Sequence, residues 1–167
     1  IIVCLPKKYI LSKKIKNIKG LKIIYSEVKG QVNQRITGIR SAKNKIIMQL
    51  DDDIQLDKMC IEELLNVNDS LDGNNVFGPE LLYNYSGRLV SHHVKKKSIL
   101  TDILYTVLLG AKYGKNRLGT MTKEGICFGL DPEYFSNDIV FCDWLPGGCI
   151  LGKKENFIDY NFYPYEG

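Results

Sequence analysis

The chain has 167 residues, 44% hydrophobic and 25% charged, the balance of a soluble globular protein long enough to bury a core. No apolar stretch reaches the length of a membrane span, and the opening Ile1-Ile2-Val3-Cys4-Leu5 is too short for a signal-peptide core. Five cysteines, an odd number with no CxxC pair, point to reduced thiols and a cytoplasmic setting.

The net charge of +4 is unevenly spread, with Glu27 the only acid before Asp51. Such a basic half suits anionic substrates or acidic lipid. It does not suit nucleic acid, because no aromatic residues interleave with the cations in a binding pattern.

In chain order, Ile1 to Leu5 reads as a strand closed by Pro6. Tyr9 to Ile18 carries Leu11, Ile15 and Ile18 at helical spacing, and Gly20 ends it. Leu21 to Tyr25 is a second strand. Gln31 to Lys43 sets Val32, Ile36, Ile39 and Ala42 on one helical face. The apolar run Lys45 to Leu50 then reads as a strand buried on both faces. This β-α-β-α-β order implies a parallel sheet. Asp57 is placed to cap a helix in which Leu56, Cys60 and Leu64 stack beside Ile61 and Leu65. A short strand at Asn75 to Phe77 precedes a hairpin from Tyr83 to Val94, turned at Ser86-Gly87. Ser98 to Ala111 is an apolar-striped helix that follows Lys95-Lys96-Lys97. That combination admits a peripheral membrane contact, although packing of the stripe on the protein's own sheet is favoured. His92 and His93 face opposite ways on a strand and cannot share a metal. No internal repeat or linker divides the chain, so residues 1–167 are expected to form a single domain.

The most informative feature is the triplet Asp51-Asp52-Asp53 closing the third strand. In open α/β sheets, ligands bind outside the carboxyl ends of strands. If the extended backbone persists, Asp51 and Asp53 share a face. Paired carboxylates without His or Cys suit Mg²⁺ or Mn²⁺, held to bind a phosphate.

Three pieces fall in one order: Gly30, Arg35 and Gly38 on a helix; Asp51-Asp52-Asp53; and Asp143-Trp144-Leu145-Pro146-Gly147-Gly148-Cys149-Ile150-Leu151, followed by Lys153, Lys154, Glu155 and Phe157. That order resembles the family 2 glycosyltransferases of the GT-A fold. The resemblance implies an α/β nucleotide-binding fold with a mostly parallel central sheet flanked by helices. Residues 1–53 would form its nucleotide-binding part and 54–167 its acceptor side. It also implies Asp51 and Asp53 as metal ligands, and Arg35 with Asp51, Asp52 and Asp53 around a nucleoside diphosphate sugar. Asp143, Trp144, Gly147 and Gly148 would line the acceptor side, for a carbohydrate or lipid-linked acceptor. Ile36 stands where the family has an Asn after its helix Arg.

Both ends of the chain read as cut. The resemblance places a first strand before Ile1 and an acidic catalytic base beyond Gly167, so no catalytic base is assigned and the chain alone is expected to be weakly active or inactive. The activity implied is metal-dependent, inverting sugar transfer in surface polysaccharide synthesis, in the cytoplasm or at the inner face of the cell membrane. Two other readings use the same residues: a nucleotidyl or phosphoryl transferase, and a non-catalytic basic binding module. A haloacid dehalogenase phosphatase is disfavoured, because Gln55 stands where that family has Thr or Val.

Overall fold

A computed structural model describes residues 1–71, 74–79, 100, 103, 107, 118–123, 125–130 and 139–158. The predicted hairpin at 83–94, the lysine triplet, His92 and His93 lie outside the described residues. The chain divides into two compact units, Ile1–Gly78 with Gly147–Gly167, and Pro79–Pro146.

The first unit holds β1 (Ile2–Pro6), α1 (Lys13–Lys16), β2 (Lys22–Ser26), α2 (Gln31–Ser41), β3 (Ile46–Leu50), α3 (Cys60–Ser70), β4 (Val76–Phe77), β5 (Cys149–Lys153) and α4 (Glu155–Ile158). β1 and β2 pair in parallel, Ile2 opposite Lys22 and Pro6 opposite Ser26. α2, which follows β2, packs against both strands. Its face is the one the periodicity selects, with Ile36 and Ile39 buried. Gly38 stands over β1, where an added Cβ would lie 3.8 Å from that of Cys4. Gln34 Nε2 donates to the Cys4 carbonyl at 3.1 Å, fixing the helix along the strand.

The predicted parallel pairing of the third strand is corrected. β3 pairs antiparallel with β5, Ile46 opposite Lys153 and Leu50 opposite Cys149, and β4 pairs antiparallel with β5 on the other side. The sheets are therefore mixed and small: β1-β2, and β3-β5-β4. β3 is also not buried on both faces; its residues are half-buried and Leu50 is exposed. An apolar run gives a strand but not the direction of its partner, and an antiparallel strand tolerates one wet face. The core of this sheet comes from β5 and its neighbours, with Cys149, Leu151, Phe77 and Phe157 buried.

Two helices differ from expectation. The Tyr9–Ile18 helix contracts to the single turn of α1, and Ile15 and Ile18 are exposed. Helical spacing alone does not carry so short a segment through nucleation without a surface to bury against. α3 begins at Cys60, with Asp57 two residues before its cap Met59. The Asp57 carboxylate instead accepts the Met59 N–H at 3.1 Å, an Asx turn leading into the helix. Cys60, Leu64 and Asn68 form its buried face, whereas Ile61 and Leu65 are exposed.

In the second unit, the chain folds back on itself around Thr122 to Gly125. Met121 bridges Cys127, and Gly119 N–H donates to the Phe128 carbonyl at 3.0 Å. Gly119 has φ +75°, and a Cβ there would meet Leu130 at 2.9 Å and Cys142 at 3.0 Å. Only glycine fits that position. Leu100, Ile103 and Val107 are helical and exposed, so these members of the predicted stripe are not covered. Among the described residues, no helix is long and apolar enough to cross a membrane.

Candidate functional site

The register of β3 against β5 builds the site. Leu50 stands opposite Cys149, so the next residue, Asp51, falls beside Gly148. The Asp51 N–H donates to the Gly148 carbonyl at 2.8 Å. Two residues earlier, Gln49 Nε2 donates to the Gly147 carbonyl at 2.9 Å. The aspartate end of β3 and the glycine pair are thus tied together by backbone and side chain.

Arg35, on α2, reaches the same point. Its Nη2 donates to Asp51 Oδ1 at 2.5 Å, with both side chains about two-thirds or more removed from solvent. A Cβ on Gly147 would lie 3.5 Å from Arg35 Nη1, so the guanidinium occupies the space between Asp51 and Gly147. Four predicted site residues therefore converge: Arg35, Asp51, Gly147 and Gly148. Asp52 and Asp53 follow in an exposed turn, and neither makes an ion pair with a described residue. The strand alternation that would set Asp51 and Asp53 on one face ends at Leu50.

Asp143 and Trp144 belong to the second unit, where each is engaged. Asp143 Oδ2 accepts the Met121 N–H at 3.0 Å, and its own N–H donates to Gly119. Trp144 Nε1 donates to the carbonyl of the buried Phe128 at 2.9 Å, which satisfies its only polar atom.

The roles of two residues escaped the sequence reading. Gln49 is the one polar side chain in Ile46–Leu50, and that interruption was its signal. Lys154 belongs to the third sequence piece, but nothing in the sequence signalled its role. Its Nζ donates to the carbonyls of Ala42 at 2.6 Å and Arg40 at 3.1 Å, placing a cation on the C-terminus of α2, the helix that carries Arg35. The cysteines stand apart from this chemistry. Burial pushes the thiols of Cys4, Cys60, Cys142 and Cys149 up, away from thiolate.

The donor set fits a hard divalent cation: oxygen atoms only, with Asp52 and Asp53 open to solvent. Among the described residues, no three His, Cys, Asp or Glu side chains cluster, so any ion here would draw further ligands from water or substrate.

The family described as Glycosyl transferase family 2 matches residues 8–128, and the chain belongs to that family. The match takes in Arg35 and all three aspartates, and it stops short of Asp143 to Gly148. Membership carries with it a GT-A-like α/β fold, a nucleotide-sugar donor and an acceptor. No curated protein and no solved structure matches the chain.

Proposed function

We propose that the protein is a metal-dependent, inverting glycosyltransferase. It moves a sugar from a nucleoside diphosphate sugar to a carbohydrate or glycolipid acceptor during surface polysaccharide synthesis, in the cytoplasm or at the inner face of the cell membrane. The observation that supports this reading is the convergence of Arg35, Asp51, Gly147 and Gly148 beside the exposed Asp52 and Asp53.

Within this reading, Asp51 and Asp53 would hold a Mn²⁺ or Mg²⁺ ion, with Asp53 as the direct ligand and Asp51 also serving the nucleotide. The cation, when bound, neutralises the diphosphate leaving group as a Lewis acid. Arg35 fixes the Asp51 carboxylate and keeps the remaining donors of its fork for phosphate oxygens. Gly147 and Gly148 leave open backbone beside the aspartates, where a sugar can approach closely. The acceptor hydroxyl displaces the diphosphate directly, after deprotonation by a base that none of these residues supplies.

The test is calorimetric titration of the chain with UDP, GDP and dTDP, in Mn²⁺ or in EDTA, beside Asp53→Ala. One nucleotide should bind only with metal, and Asp53→Ala should weaken it by about tenfold or more. Folded protein that binds none of the three would overturn the assignment. Binding of nucleoside triphosphate in preference would move the reading to nucleotidyl or phosphoryl transfer.

A further inference from the structure

The segment from Lys7 to Lys19, which leads from β1 through α1 towards β2, contains six lysines and no acid. Apart from the half-buried Leu11, every described side chain in it is exposed. Tyr9, Ile10, Ile15 and Ile18 stand in solvent among those lysines, Ile10 at 89% exposure and Ile18 at 53%. Lys7 is held by Glu27 at 2.6 Å, whereas Lys8, Lys14, Lys16 and Lys19 make no ion pair with a described residue. Cations alone would be an ordinary solvated surface. Cations interleaved with uncovered isoleucines are the chemistry of a bilayer interface, where phosphate head groups lie directly above acyl chains. Nucleic acid rewards stacking aromatics, of which this segment has only Tyr9, and gives nothing for the isoleucines.

The same pairing recurs in the second unit. Residues 92–117 carry six lysines and arginines against one acid, Asp102. Within them Leu100 and Val107 are helical and 78% and 74% exposed.

We propose that the Lys7–Lys19 segment docks the protein on a bilayer containing anionic phospholipid, its lysines at the head-group phosphates and its isoleucines in the boundary beneath. The inference extends the proposed function, and only its consequence, an acceptor that is itself lipid-linked, rests on that reading.

Co-sedimentation with vesicles of phosphatidylcholine, alone or mixed with phosphatidylglycerol, tests it. Binding should occur to the mixed vesicles only and fall as salt is raised. Lys14→Glu and Lys16→Glu should each weaken it about fivefold. The pair Ile10→Ser and Ile18→Ser, at unchanged charge, should weaken it by about tenfold. All four side chains are exposed, so circular dichroism should report an unchanged fold. No binding to either vesicle would overturn the proposal. So would binding that the isoleucine changes leave intact, because any anionic polymer would then serve as well. No nucleotide is present in this experiment, so its failure leaves the Asp53 titration standing, and a failed titration leaves vesicle binding standing.

Discussion

At the scale of single residues, Arg35 carries the greatest weight. Its charge neutralises one of three adjacent carboxylates, in a place partly shielded from water. Arg35→Ala would leave Asp51 without its partner, and we expect a loss of about 1–2 kcal/mol in urea unfolding, between exposed and buried pairs. Arg35→Lys keeps the charge but not the planar fork. It should hold most of that stability while losing nucleotide affinity in the same calorimetric titration. Equal stability losses for Lys and Ala would show that the fork, and not the charge, secures Asp51. Gly147 offers a contrasting case. The nearest atom to an added methyl is an ordinary contact away, at 3.5 Å. Gly147→Ala should therefore leave stability within about 0.5 kcal/mol of the parent, so that any fall in substrate turnover reports a close approach by substrate.

At the scale of elements, the site depends on α2 being held at both ends of its length. Gln34 pins its first turns to β1, and Lys154 closes its last carbonyls. Lys154→Met keeps much of the aliphatic stem and removes the cation, and should cost about 1 kcal/mol in urea unfolding. In the second unit, Gly119→Ala meets both a left-handed backbone and two side chains near 3 Å. It should cost about 1–3 kcal/mol, and a neutral result would show that the neighbouring side chains give way. These elements also mark what could be read from sequence. Strands β1 to β4, the buried face of α2 and the aspartates at a strand end follow from local periodicity, which is recorded within a few residues, whereas β5 was not read as a strand. The direction of β3's pairing was not legible. Its partner lies in the run Cys149-Ile150-Leu151, and nothing within Ile46–Leu50 encodes that. The contraction of α1 was hidden for a related reason: spacing shows which side could be buried, not whether a surface arrives to bury it. Of the candidate site, Arg35, Asp51 and the glycines could be named in advance, but their convergence depends on that unread register.

At the scale of the whole molecule, the four thiols raised by burial couple stability to pH. A thiol held protonated in the native state supports folding fully below its ordinary value of 9.0, and that support is lost as pH climbs through the raised native values. Thiolate absorbance should accordingly appear at higher pH in native protein than in urea, and the urea midpoint should fall between pH 8 and pH 10, by about the margin those buried groups supply. Coincident titration curves in the two states would contradict this.

The pairing of β3 with β5 sets the order in which the site can come into being. Gln49 and Gly147, joined by a hydrogen bond, are 98 positions apart in the chain. During synthesis, the aspartate triplet leaves the ribosome long before the strand that positions it. Until that strand arrives, β3 has an open edge and closing the intervening loop opposes the pairing. β1, α2 and β2 can assemble early from near neighbours, whereas Asp51 meets Gly148 late. Nucleotide-binding competence should therefore not appear until Gly147 to Lys153 have left the ribosome.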